Sequence, residues 1–160
     1  MALVLSLFVI MIYIWVRFEF EFGVGALLTL FHDVIIIFGI YSIFGIEFDL
    51  TSIAAILTII GYSINDTVVI YDRIREFLPK YKKEGVAMII NRSLTTTLRR
   101  TLLTSSSTLL SLLILVALGG ESIKNFALVV FLGIFIGTYS SIYISAPILL
   151  YIGVNGKKLK

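Results

Sequence analysis

The chain has 160 residues, 59% of them hydrophobic, and a mean hydropathy of +1.05, against ~45–50% apolar residues in soluble domains, which excludes a soluble fold. It contains no cysteine, so disulfides and thiolate metal sites are excluded as well. The formal net charge of +3 sits between apolar segments rather than in one basic patch, so nucleic acid is not an expected partner. The expected class is an all-α integral membrane protein, one transmembrane domain over residues 1–160 built as a five-helix bundle.

Hydropathy separates five apolar segments, about 2–16, 22–46, 50–71, 101–118 and 125–154. The first is about 15 residues, ~22 Å as a helix, short of the ~30 Å hydrocarbon core. It lacks the basic start and small-residue cleavage site of a signal peptide, so it reads as a helix of a longer chain entered near its beginning. Arg17, Glu19 and Glu21 make a polar link to the second segment, which carries His32 and Asp33 near its middle. An acidic turn, Gly45 to Asp49, leads to the third. The stretch 72–100 is the longest polar one, with Pro79, Lys80, Lys82 and Lys83 early in it. Its second half places Val86, Ile89, Ile90, Leu94 and Leu98 at helical spacing, which predicts a helix lying along the membrane surface. Gly119-Gly120-Glu121-Ser122 is the hairpin between the last two segments.

Lysine and arginine bias sets the orientation. With the 72–100 loop in the cytoplasm, Arg17, the basic residues of that loop, Lys157, Lys158 and Lys160 all lie inside, and Lys124 alone lies outside. A reporter fused after Pro79 is therefore expected to be cytoplasmic and one fused after Gly120 extracytoplasmic. The reverse labelling would overturn the segment assignment. An N-terminus outside, followed by five helices, leads to the expectation of a further helix upstream.

The stretch from Gly61 to Glu76 carries the chemistry. Asn65 and Asp66 follow the apolar run 53–60, and Asp72, Arg73, Arg75 and Glu76 mark where the helix leaves the lipid, so Asp66 sits roughly 9 Å inside that boundary. A carboxylate at that depth is costly, and intramembrane acids default to functional candidates. Asp66 is thus read as a protonatable carrier, with a structural aspartate bonded to the fourth segment as the plainer alternative. Arg100 is its candidate counter-ion, favoured over Arg99, or else a positive-inside anchor. His32 and Asp33 form a proton relay or a structural bridge; metal is discounted because no second histidine exists. In the hydroxyl run from Thr104 to Thr108, Ser105 and Ser106 allow close helix approach or solvate a path to Asp66. Gly133 and Gly137 form a GxxxG that predicts close packing of the last helix.

These residues carry a resemblance. His32-Asp33-Val34, Glu47 to Leu50, Gly61-Tyr62-Ser63-Ile64-Asn65-Asp66-Thr67, Asp72 to Glu76, Ser93-Leu94, Arg100-Thr101, Gly119-Gly120 and Gly133 to Ile142 resemble the SecF family of protein-export membrane proteins, within the RND (resistance-nodulation-division) superfamily. The resemblance covers nearly the whole chain in order. It implies one half of an RND-type transporter pairing with SecD in a bacterial or archaeal cytoplasmic membrane. Such a subunit uses a proton or sodium gradient to help pull exported preproteins across after SecYEG and SecA have started them. Membrane lipid is its surroundings, it needs no cofactor, and it is not an enzyme. Carried over by position, Asp66 resembles the family's essential membrane carboxylate and Arg100 its essential arginine. The family's first helix and extracytoplasmic domain have no counterpart, so this chain starts at what resembles the second helix.

The rivals are an RND-type exporter half for drugs or lipids, an intramembrane aspartyl protease and a passive scaffold. The outer loops are only a few residues long, which disfavours the first. The protease's Gly-x-Gly-Asp is absent, and Tyr71-Asp72 lies at the boundary.

Overall fold

A computed structural model describes residues 2–154, and all the elements described there are helical. They are α1 (Ala2–Arg17), α2 (Phe20–Phe44), α3 (Leu50–Lys80), α4 (Val86–Leu118) and α5 (Glu121–Ser140), with α5 running through a π turn (Ser141–Ser145) into α6 (Ala146–Ile152). Counting that last run as one rod gives the five helices of the bundle. Four rods are long and apolar enough to cross a membrane, Phe20–Phe44, Leu50–Lys80, Val86–Leu118 and Ile123–Ile152, whereas α1 is shorter. Lys157, Lys158 and Lys160 lie outside the described residues.

Local chemistry sets the ends. Gly45 closes α2 in the left-handed region at φ 60° and gives its N–H to the Tyr41 carbonyl, a conformation that is costly for a residue with a Cβ. Asp49 opens α3: its carboxylate accepts from the Ser52 N–H at 2.8 Å while the Ser52 hydroxyl accepts from the Asp49 N–H at 3.0 Å. The Thr51 hydroxyl and the Ser52 N–H hold the Asp49 carboxyl below the usual carboxylate range.

Two expectations about the polar stretch are corrected. The third helix runs on to Lys80 instead of ending near residue 71. Pro79 falls in its last turn, where one missing backbone bond matters little, and Glu76 braces the extension through Arg73 at 2.7 Å and Lys80 at 2.6 Å. The expected surface helix is the first half of α4, continuous with the span that was expected to begin at Thr101. No glycine or proline interrupts residues 86–118. Thr97, Thr104, Ser107, Thr108 and Ser111 bond back to carbonyls one turn earlier, so they do not end the helix.

α3 is the centre of the bundle and touches every other element. Its buried residues, among them Ile56, Ile59, Ile60, Ser63, Asp66, Thr67, Ile70, Tyr71 and Ile74, recur every three or four positions in one broad stripe. α5 comes close to it through glycine. Gly133 lies against Ile59 and Gly137 against Ser63, where even a methyl group would meet the facing side chain. The end of α1, the link after it and the start of α2 pack on the C-terminal half of α3: Phe18 and Phe22 meet Tyr71 edge-on at 6.0 and 5.3 Å, and Arg17 pairs with Asp72 at 2.9 Å. Leu28, Phe31 and Ile35 on α2, Leu103, Leu110 and Ile114 on α4 and Phe135 on α5 remain exposed, the pattern of faces turned to lipid or to a partner helix.

Candidate functional site

Asp66 projects from the middle of α3 and is 5% exposed. On its α4 side Ser105 and the positive charge of Arg100 act on the carboxyl. Ser105 shares a 2.8 Å hydrogen bond with Thr138, which ties α4 to α5 at this level. Thr101, one turn before Ser105, is buried with a hydroxyl that has no protein partner.

Arg100 does not clasp the acid. It is exposed, and no ion pair within 4.0 Å links it to Asp66 among the described residues. It lines a groove of about 750 Å³ between α3 and α4, together with Asp72, Arg73, Glu76, Thr96 and Thr97. The acids of that groove are engaged elsewhere, Asp72 by Arg17 and Glu76 by Arg73 and Lys80. Arg100 therefore lies on a polar groove beside α3, with its charge acting on Asp66. A buried carboxyl is stable neutral, or charged with a guanidinium brought close.

A second polar cluster lies farther round the buried stripe of α3. Asp33 is 1% exposed; it accepts a short hydrogen bond from the Ser63 hydroxyl and meets His32 Nδ1 at 3.0 Å. The Ser141 hydroxyl donates to the Ser63 carbonyl at 3.2 Å, and Thr67 meets Ser141 at 3.2 Å. Tyr71 donates to the Ser145 carbonyl at 3.1 Å. Among the described residues no cluster of three or more histidine, cysteine or acidic side chains exists that could hold a metal ion.

The structure thus gathers Asp66, Arg100 and Ser105 on one side of α3 and His32 with Asp33 on another. It leaves out two sequence candidates. Asn65 is exposed, because one residue along a helix turns the side chain by about 100° and carries it off the face that Asp66 occupies. Ser106 is exposed for the same reason, and only Ser105 of that pair meets a neighbouring helix. Ser63, Thr67, Tyr71 and Ser141 gave no warning as single residues. Their shared helical face, three or four positions apart on α3, is the only signal in the sequence that could have found the first three.

Comparison with known proteins adds the family. The model of "Protein export membrane protein SecD/SecF, C-terminal" matches residues 1–155. Protein translocase subunit SecF of Rickettsia bellii (strain OSU 85-389) is 60% identical over 149 residues, covering 93% of this chain and 49% of the relative. SecF of Rickettsia rickettsii (strain Sheila Smith) is 58% identical over 149 residues, covering 93% of this chain and 48% of the relative. The chain thus spans about half the length of the curated relatives it matches. The crystal structure of SecDF from Thermus thermophilus, described as a translocon-associated membrane protein, superposes with a TM-score of 0.87 at 48% identity, over 91% of this chain and 20% of that one. SecDF in a super-membrane-facing form gives a TM-score of 0.85 at 48% identity, over 89% of this chain and 20% of the other.

Proposed function

The chain belongs to the SecD/SecF C-terminal family of protein-export membrane proteins, and from that premise we propose that it is the membrane-embedded part of a SecF-type subunit that couples an ion gradient to late steps of polypeptide export. Its partner in this reading is SecD, supported by the SecDF chains that contain its fold as about a fifth of their length. SecYEG supplies the channel, an exported preprotein is the cargo, and the bacterial or archaeal cytoplasmic membrane is the location. The role is transport without a catalysed covalent step.

The observation that carries the proposal is the buried Asp66, beside Ser105 and within the field of an Arg100 that it does not touch. Proton loss from Asp66 favours approach of Arg100, and proton gain releases it. The two arrangements pack α3 against α4 differently, which is how a local change of charge becomes a movement of helices. Asp33, buried and bonded to Ser63 of α3 with the half-buried His32 beside it, is the secondary ion-coupling candidate.

The test uses the complex of this chain with SecD in proteoliposomes containing SecYEG and SecA. Completion of preprotein transport is followed with an imposed gradient and after an ionophore collapses it. Stimulation by the gradient is expected; transport indifferent to it would overturn the proposal. Arg100→Lys keeps the charge but loses the planar fork. It is expected to cut the stimulated component about tenfold, since a charged hydrogen bond contributes ~1.5–3 kcal/mol. A parent-like response from the lysine variant would show that a point charge suffices.

A further inference from the structure

The bonds between α3 and the π turn are unaccounted for by the Asp66–Arg100 chemistry. A π turn carries one residue more than an α-helical turn, and such insertions concentrate at functional sites. Here Ser141–Ser145 interrupts a rod that is α-helical on both sides, and Ser140, Ser141, Ser145 and Ala146 are fully buried, so no solvent stabilises the distortion.

What does hold it comes from α3. The Ser141 hydroxyl has one proton, which it donates to the Ser63 carbonyl, so Thr67 must donate to the Ser141 oxygen. Tyr71 donates to the Ser145 carbonyl at 3.1 Å, at the end of the turn. Ser63, Thr67 and Tyr71 bracket Asp66 on the same helix and share its buried stripe. Gly25 of α2 makes room for this: a Cβ there would fall 2.6 Å from the Tyr71 hydroxyl and 3.2 Å from Ile148 and Leu149 of α6. The Ser63 hydroxyl is in turn anchored on Asp33.

One group inside the turn is unsatisfied: the Ser145 hydroxyl is buried and has no partner. In an uninterrupted α-helix a serine bonds back to the carbonyl four residues earlier, which for Ser145 is that of Ser141. In the π register the α3 contacts are made and the Ser145 hydroxyl has no bond, whereas an α register would put the Ser141 carbonyl within its reach.

We propose that Thr67, Tyr71 and Ser141 are positioning residues that latch the π turn to the helix bearing Asp66, and that the latch opens and closes during each gradient-driven cycle. The inference rests on the functional reading above. When α3 shifts as Asp66 exchanges its partner, the latch hydrogen bonds break, the turn relaxes toward α-helix and α6 rotates. Movement beside Asp66 is thereby carried to α2 and α4, both of which α6 contacts.

The absence of native cysteine allows a direct test. The hydroxyl oxygens of Thr67 and Ser141 are 3.2 Å apart, so Thr67→Cys with Ser141→Cys places two sulfurs where a disulfide, ~2.05 Å between sulfurs, can close. A protease site in the loop at residues 81–85 reports the bond, because the cut halves then stay together only without reductant. In the complex with SecD, oxidation is expected to abolish gradient stimulation and a reductant to restore it, which a purely structural contact would not show. Tyr71→Phe, which keeps the ring, is expected to lower stimulation several-fold with unchanged assembly. Failure of the disulfide to form would overturn the juxtaposition. A parent complex that responds to the gradient, with an oxidised pair that responds equally, would overturn the latch while leaving the function standing. If the reduced pair is itself inactive, Tyr71→Phe decides, and a parent-like response there overturns the latch. A parent complex indifferent to the gradient would overturn both.

Discussion

Asp66→Asn is expected to leave the complex with SecD assembled and to abolish the gradient-dependent part of export. Asparagine has nearly the volume of aspartic acid and keeps a side-chain oxygen at the same place, so the packing of α3 on α4 survives. It cannot lose a proton, so the state that draws Arg100 inward never forms. The size of the effect follows from the energies involved. Carrying an ion through a cycle requires both states of Asp66 to be visited, and a neutral amide eliminates one of them instead of reweighting the two. The residual rate should equal that of the parent complex after the gradient is collapsed. The measurement is preprotein transport in proteoliposomes with and without the gradient, alongside co-purification to confirm assembly. Should the asparagine complex still be stimulated like the parent, Asp66 is structural and Asp33 becomes the next site to test.

Gly133→Leu is expected to prevent α5 from docking on α3. A Cβ at Gly133 would lie 2.6 Å from Ile59 Cγ1 and 2.9 Å from its Cγ2. Ile59 is fully buried and β-branched, a side chain with a single strongly preferred χ1 rotamer in a helix, so it cannot swing aside. The helices must separate. Overpacking by one such group costs ~1–3 kcal/mol, and leucine adds three further carbons. In lipid there is little hydrophobic drive to offset this, because interhelical bonds average only ~0.6 kcal/mol each. Separation would also pull the Ser105–Thr138 and Thr67–Ser141 pairs apart. Gly137→Leu should act similarly. Gly137→Ala should be milder, because its Cβ would stand 3.3 Å from that of Ser63. Thermal stability and monodispersity in detergent measure the difference, and a leucine variant as stable as the parent would sink the packing argument.

The sequence by itself determined the membrane class and the order of the apolar segments, because these depend on local hydropathy. It also singled out Arg100 and the glycine pair, since an intramembrane charge and a small-residue repeat are unusual enough to stand out singly. Tertiary structure decided which neighbours on a helix share a face with a partner. Adjacent residues diverge by about 100°, so Asp66 is buried where Asn65 is exposed, and Ser105 is buried where Ser106 is exposed. It decided too that α3 runs to Lys80 and that residues 86–118 form one rod, since ion pairs and back-bonded hydroxyls extend helices into stretches that read as polar loop. The π turn was wholly its choice. Serine and isoleucine at 141–145 suit an α-helix as well, and in the wider register the hydroxyls of Ser141 and Tyr71 bond across the interface between α3 and the turn.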